Sequence, residues 1–326
     1  MMKKNRFPLF IVGLPRSGTK LIRDILNNHN EINLPISESH FIPFFIRKYG
    51  LNPDFSNKEI SSKFITDFIN STYSHNLSLK DKINIEEFRG ILEINKWKDI
   101  FKYILCDLIF FEEHPPIWGD KTPGYVNHFD LIAQIFPNVR FLHIIRDPRD
   151  QVLSSKKLWN KNIYRSAQIW RDTIAKARDI VNKNSFNYLE VKYEDLTKSP
   201  ESSIRKVCEF LHCDYKESML IFKKSVENYG DTKGELTINN ENSNKFLELF
   251  SKKQIRRIEQ ITYDIMISLD YQPININTKP KQLTGLEKTI YKIYDGYQSL
   301  KFHVLDKGII AGATYFYRLH ITSSWR

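Results

Sequence analysis

Phe7-Pro-Leu-Phe-Ile-Val-Gly13-Leu-Pro-Arg16-Ser17-Gly18-Thr19-Lys20, the first apolar run of the chain and the glycine turn that ends it, decides the fold. Phe7–Val12 is too short to span a bilayer, lacks a signal-peptide cleavage site and reads as a buried β-strand. After the turn, Leu21, Ile22, Ile25 and Leu26 recur at the spacing of a helix laid on a sheet. Strand, turn and helix in that order leave backbone N–H groups at the helix N-terminus, where the dipole adds positive potential and a phosphate-like anion is cradled. Arg16 adds charge, Ser17 and Thr19 add hydroxyl donors, and Gly18 allows close approach. A nucleoside-triphosphatase loop reads G-x-x-x-x-G-K-[ST], with lysine directly after the second glycine. Here Thr19 follows Gly18, Lys20 comes one residue late on a helix face roughly 100° away, and Arg16 carries the charge inside the loop. The loop suits an anion other than a γ-phosphate with its magnesium.

Further strands are predicted at Ile32–Ile36, Ile117–Gly119, Arg140–Ile145 and Asn187–Lys192, with helices at Thr19–Asn28, Tyr125–Phe136, Pro148–Trp159, Ser166–Val181, Pro200–Leu211 and Lys252–Ser268. Short strands alternating with helices give an α/β fold, a doubly wound, mostly parallel sheet of the P-loop type. Residues 41–115 form a helical insertion of the kind that builds a substrate lid. After Tyr271, the Asn- and Pro-rich stretch 272–282 reads as a linker. The basic, aromatic tail 283–326 is expected to extend the domain 1–271 by packing on it, against the alternatives of a dimer element or a membrane-surface segment.

The 326 residues carry 49 Lys and Arg against 38 Asp and Glu, a net charge of +11, which calls for an anionic partner. The cations are spread along the chain with no nucleic-acid-binding signature, so a polyanionic nucleotide suffices and no nucleic acid is expected. The three cysteines, Cys106, Cys208 and Cys213, make neither a disulfide framework nor a zinc site and fit a reducing compartment. With no integral membrane segment, the expected location is the cytoplasm.

The second chemical motif is Arg140-Phe-Leu-His-Ile-Ile145 followed by Arg146-Asp-Pro-Arg149-Asp150 and, within the next helix, Ser154. Ligands of open α/β sheets lie beyond the carboxyl ends of the strands. Arg146 stands at such an end, where its planar guanidinium can grip a phosphate bidentately and Ser154 can donate to the same group. A P-loop kinase needs a metal-holding carboxylate there instead. A purely local role, Arg146 paired with Asp150 at a helix cap, is the plainer alternative.

Four segments, Gly13-Leu-Pro-Arg-Ser-Gly-Thr19, Gly119-Asp-Lys121-Thr-Pro123, Arg146-Asp-Pro-Arg-Asp150 with Ser154, and Val191-Lys-Tyr193-Glu-Asp-Leu196, stand in the order seen in nucleotide-dependent sulfotransferases. The chain resembles that family over roughly residues 7–271, and most closely the bacterial group similar to tyrosylprotein sulfotransferases. The resemblance implies 3′-phosphoadenosine-5′-phosphosulfate (PAPS) as donor, 3′-phosphoadenosine-5′-phosphate (PAP) as product, and no metal. It implies that Arg16, Ser17, Gly18, Thr19 and Lys20 hold the 5′-phosphosulfate, and that Arg146 and Ser154 hold the 3′-phosphate. Tyr193 would lie near the adenosine, and Lys121 would approach the oxygen bridging phosphorus and sulfur. Lys245, before Phe246, resembles the Lys-Trp element of the family's nucleotide-closing loop, with Phe in place of Trp. For the catalytic base, the tyrosylprotein pattern points to Glu38 and the cytosolic pattern to a histidine, here His40. His128, or a structural role for the whole segment, stays open.

The resemblance implies sulfuryl transfer to a hydroxyl or amine. A cytoplasmic small metabolite or natural product is the expected acceptor, with a glycan precursor as the other choice, and a homodimer is compatible with the chain. Two other classes share strand, loop and helix: a P-loop small-molecule kinase, and a non-catalytic nucleotide- or polyanion-binding protein.

Overall fold

The computed structural model describes residues 7–94, 96–110, 115–222, 238, 242–275 and 277–320. Its centre is a five-stranded sheet, all pairs parallel, in the order β2-β3-β1-β4-β5. The strands are β1 (Phe7–Gly13), β2 (Ile32–Asn33), β3 (Ile117–Lys121), β4 (Arg140–Ile145) and β5 (Asn187–Lys192). Because every strand runs the same way, all five carboxyl ends lie on one edge, and the strand order reverses about β1. Central β1 is buried along its whole length, as its unbroken apolar run requires.

β2 is shorter than the expected Ile32–Ile36. Pro35 has no N–H for the ladder, and Asn27 takes over the adjacent backbone, its amide bonded to Leu34 N (2.9 Å) and Leu34 O (2.8 Å). Conversely β3 runs two residues past Gly119, bringing Asp120 and Lys121 to the sheet edge opposite Phe10 and Ile11.

The helices α1 (Thr19–Leu26), α2 (Phe41–Tyr49), α3 (Lys58–Ile69), α4 (Thr72–Asn76), α5 (Ile85–Ile94) and α6 (Trp97–Lys102) precede β3. From α2 on they form the insertion between β2 and β3. Its interior is an aromatic core: Phe64 meets Phe45 (4.8 Å), Phe55 (5.1 Å) and Trp97 (5.6 Å), and Trp97 stacks on Phe101 (4.8 Å). Those rings pack with Phe10 of β1 and Trp118 of β3 into one continuous cluster.

After β3, the helix expected over Tyr125–Phe136 divides into a 3₁₀ turn (Pro123–Asn127) and α7 (Phe129–Ile135), because His128 leaves helical geometry at φ −133. Next come α8 (Pro148–Trp159), α9 (Ile163–Lys183), α10 (Tyr193–Lys198), α11 (Pro200–Leu211), α12 (Phe246–Leu249) and α13 (Lys252–Ser268). The helix expected over Ser166–Val181 starts earlier, as α9, because Asn162 caps it, accepting from the N–H groups of Tyr164 and Arg165 (both 3.0 Å).

In the tail, α14 (Gly285–Lys307) and α15 (Ile309–His320) form a hairpin. α14 lies against α8 and α9, and its buried Asp295 accepts from Asn162 N and Arg165 Nη1 (2.7 Å each). Among the described residues, no helix is long and apolar enough to cross a membrane.

Candidate active site

The carboxyl edge of the sheet carries two clusters, one at the ends of β3 and β2, the other where β1 and β4 lie side by side. In the first, Lys121 is buried at the end of β3 and donates to Oε1 of Glu38, which follows β2. His40 Nε2 meets the other oxygen, Oε2, at 2.9 Å. The three candidate chemical groups at this end form one hydrogen-bonded unit. Desolvation pushes the Glu38 carboxyl up, but the His40 hydrogen bond and the Lys121 charge outweigh it and bring its pKa down to about 2. Its side chain stays 35% exposed, so the carboxylate is both ionised and reachable.

A buried relay holds that unit in place. Ser39 Oγ donates to Asp120 Oδ2 (2.8 Å), so the Tyr125 hydroxyl, 2.6 Å away, must donate to Ser39, while Ile42 N donates to Tyr125 (3.2 Å). Ser39 N adds a bond to Thr122 Oγ1 (3.0 Å). Burial raises the pKa of Asp120, against the lowering effect of its bonds from Thr122 and Ser39. The relay ties the start of α2, where His40 sits at φ 53, to the strand residue beside Lys121. Asp120 and Thr122 stand inside the Gly119–Pro123 motif, yet nothing in the sequence shows that Ser39 and Tyr125 meet them. His128 packs edge-on against Tyr125 (6.5 Å), and burial lowers its pKa.

In the second cluster the β1–α1 turn and the β4–α8 turn lock together. Arg16 Nε donates to Ser154 Oγ (3.1 Å), Arg146 Nη1 donates to Arg16 O (3.2 Å), and Gln151 Nε2 donates to Pro15 O (2.9 Å). The two cationic ends thus adjoin, and Arg16 bridges toward the Ser154 side. Arg16 itself holds φ 73, a strained conformation for a residue with a side chain. Gly18 caps α1 at φ 93, and a Cβ built there would collide with the ring of Tyr193. Ser17 and Thr19 are buried and Lys20 half-buried along the same turn.

Arg146 is buried with its guanidinium 4.4 Å over the Tyr193 ring, and its Nη2 donates to Asn242 O (2.7 Å). Its Nε is buried without a hydrogen-bond partner among the described residues, a donor the protein leaves unanswered. Asn242 Nδ2 returns to Tyr193 OH (2.9 Å). Asp150 pins the next residues, accepting from Asn244 N (2.6 Å) and Phe246 N (3.1 Å), so Lys245 is brought to the same end of the sheet as Arg146. The hydrogen bonds of Arg146 and Asp150 thus run to other residues, Arg146 to the backbone of Arg16 and Asn242 and Asp150 to that of Asn244 and Phe246. The backbone anchors Asn242 and Gln151 carry no sequence signal of their own.

The carboxyl edge thus offers cations and N–H groups of the kind that can take an anion, and a carboxylate bonded to a lysine. Among the described residues, no group of three or more His, Cys, Asp or Glu could hold a metal ion.

The family model described as "Sulfotransferase family" matches residues 8–217. A putative protein-tyrosine sulfotransferase of Caenorhabditis briggsae is 22% identical over 269 residues, covering 78% of this chain and 85% of that protein. Protein-tyrosine sulfotransferase 1 of Rattus norvegicus is 26% identical over 235 residues, 70% of this chain and 57% of that protein. The chain spans only 39% of the Drosophila melanogaster protein-tyrosine sulfotransferase. Among solved structures, the sulfotransferase domain from the curacin biosynthetic pathway superposes with a TM-score of 0.51 at 20% identity, covering 82% of this chain and 99% of that one. The sulfotransferase domain of the Synechococcus PCC 7002 olefin synthase gives 0.50 at 23%, covering 81% and 98%. With a match over residues 8–217, and with this sheet and these two turns, the chain belongs to the sulfotransferase family.

Proposed function

We propose that the chain transfers the sulfuryl group of PAPS to a hydroxyl or amine of a cytoplasmic small metabolite or natural product, releasing PAP. The observation that carries this reading is the meeting, at one sheet edge, of an ionised Glu38 bonded to buried Lys121 with an anion turn locked to Arg146 and Ser154. Ser17, Gly18, Thr19 and Lys20 would hold the 5′-phosphosulfate. Arg146, through its unanswered Nε, would hold the 3′-phosphate with Ser154, and Tyr193 and Lys245 would flank the nucleotide. Arg16, bonded to Ser154 from the anion turn, would serve both ends.

Glu38 takes the acceptor's proton as its oxygen or nitrogen bonds to sulfur. The sulfur–oxygen bond to the phosphate breaks, and the electron pair stays on the phosphate oxygen. Lys121 then shifts its hydrogen bond from Glu38 to that oxygen and, with Arg16, offsets the growing charge. His40, on the other Glu38 oxygen, orients the carboxylate. A sulfuryl group carries less charge than a phosphoryl group, so these cations can do what a metal does in kinases, and activity is expected without one.

The test is incubation of the chain and labelled PAPS with cell extract, with mass spectrometry of the products. A donor-dependent sulfated product is expected. Phosphorylation from adenosine triphosphate and magnesium would instead make it a kinase, and PAP binding with no product a non-catalytic binder. The mass of the product separates a small metabolite from a sulfated protein tyrosine, the acceptor named for several relatives.

A further inference from the structure

The β2 ladder ends at Asn33, yet Glu38, further along the chain, stands bonded to Lys121 of β3. Helix α1 carries the chain between them. Asn27, which ends that helix, holds both backbone groups of Leu34, at 2.9 and 2.8 Å. One turn back, Arg23 Nη1 donates to Ile36 O (2.8 Å). The Ile36 side chain is 71% exposed, so the bond to its carbonyl, rather than burial, fixes the chain there. Ser37 then accepts from Asn76 of α4 (3.2 Å), and Ser39 enters the Asp120 relay.

Arg23 is buried, and Asp24 beside it answers its charge: Nε donates to Asp24 Oδ1 (2.7 Å) and Nη2 to the same oxygen. The remaining nitrogen, Nη1, is left to reach the carbonyl two residues ahead of Glu38. Thr19, Arg23 and Asn27 follow one another at i, i+4 and i+8 and so share one stripe of α1. Thr19 belongs to the anion turn, while Arg23 and Asn27 grip the strand exit that leads to Glu38. The Asp120 relay ties that exit to β3, and α1 ties it to the anion turn.

We infer that Arg23 and Asn27 are positioning residues: through the backbone of Leu34 and Ile36 they set where the Glu38 carboxylate stands relative to the anion turn. This takes Glu38 as the base of the proposed reaction, but its first test needs neither donor nor acceptor. Carbon-13 NMR of the full chain with labelled glutamate reads the Glu38 carboxyl, assigned by its absence in Glu38→Gln. Wild-type Glu38, with a pKa of about 2, should stay ionised at about pH 4. In Arg23→Lys it should be at least ~one-third protonated there, as it slips from Lys121 and His40. Lysine keeps the charge but cannot span Asp24 and Ile36 O as the guanidinium fork does, so the change reports position. Should Arg23→Lys fail to fold, Asn27→Ala, which frees Leu34, is expected to give the same change. The second test is turnover of labelled PAPS with cell extract as the acceptor source. Arg23→Lys should lower the rate at saturating PAPS by ~10-fold or more and leave the KM for PAPS within ~2-fold. In a Glu38→Gln background the same substitution should change that rate by less than ~2-fold, because Arg23 acts through Glu38. Glu38 as ionised in the folded variants as in wild type overturns the inference, and so does an undiminished effect of Arg23→Lys in the Glu38→Gln background. A wild-type chain that does not turn over PAPS fails the proposed reaction instead, and the carboxyl titration still decides whether α1 places Glu38.

Discussion

Lys121 is buried, bonded to Glu38 and next in sequence to Asp120 of the relay, so its ammonium is positioned as a donor at the carboxyl end of β3. Removing one preorganised donor from developing transition-state charge costs about 10²–10³ in rate. Lys121→Ala should therefore lower kcat by that factor while the KM for PAPS stays within about two-fold, since the charge the lysine would offset is absent from the bridging oxygen of bound PAPS and develops only as the sulfur–oxygen bond breaks. A variant with near-normal turnover would remove Lys121 from the reaction. Glu38 gives a second readout through pH. Its folded-state pKa, about 2, lies below its ordinary 4.5, so it favours the folded state above pH 4.5 and that contribution fades as pH falls through 2. The thermal stability of wild type over Glu38→Gln should be constant from neutrality to about pH 5 and drop to less than about half near pH 3. A difference undiminished at pH 3 would mean that ionic pairing with Lys121 and His40 is not what separates the two proteins. Arg146→Ala should weaken PAP binding by about 1.5–3 kcal/mol, the worth of a charge-assisted hydrogen bond. Equal affinity in calorimetry would place the 3′-phosphate elsewhere.

At the scale of elements, the turns between strand and helix carry the site, and their glycine is the weak point. Gly18 combines φ 93 with the Tyr193 ring against its α-carbon, so Gly18→Ala meets both backbone strain and a collision that Tyr193 can relieve only by moving from under Arg146. Loss of about 1–3 kcal/mol of stability, together with PAP binding, is expected in calorimetry and thermal melts. An alanine variant that binds PAP normally would show the turn to be permissive. This turn was legible in the sequence because glycine spacing and the apolar run before it obey local rules. So were the strand over Arg140–Ile145 and the helices over Pro148–Trp159, Pro200–Leu211 and Lys252–Ser268, each bounded by its own cap or proline. The Ser39–Asp120–Tyr125 relay was not legible, because its members lie about 80 residues apart and meet only when β2 and β3 pair. The same holds for Arg16 on Ser154, 138 residues apart, which merges two ends that the motifs read singly present as separate. β2 stops at Asn33, short of the apolar run's end at Ile36, because Pro35 has no N–H with which to continue the ladder.

The whole molecule is a cation of net charge +11, whose sheet edge gathers Arg16, Lys121 and Arg146 among its side chains. A polyanionic donor would be steered and held by that field, whereas a neutral acceptor would not, so the two proposed substrates should respond differently to salt. The KM for PAPS should rise several-fold as ionic strength goes from low to about three times physiological, while the KM for an uncharged acceptor changes little. Chelation separates this from a metal-bridged donor site. If side-chain cations do the work, excess chelator should leave turnover unaltered at every salt concentration, and added magnesium should only mimic salt by shielding the donor. A site that needed a metal would lose turnover on chelation and regain it with magnesium, at constant ionic strength. Steady-state kinetics with salt and chelator varied independently decides between these outcomes. A PAPS KM insensitive to salt would mean that the donor is gripped by neutral N–H groups of the Gly18 turn rather than by the cations beside it.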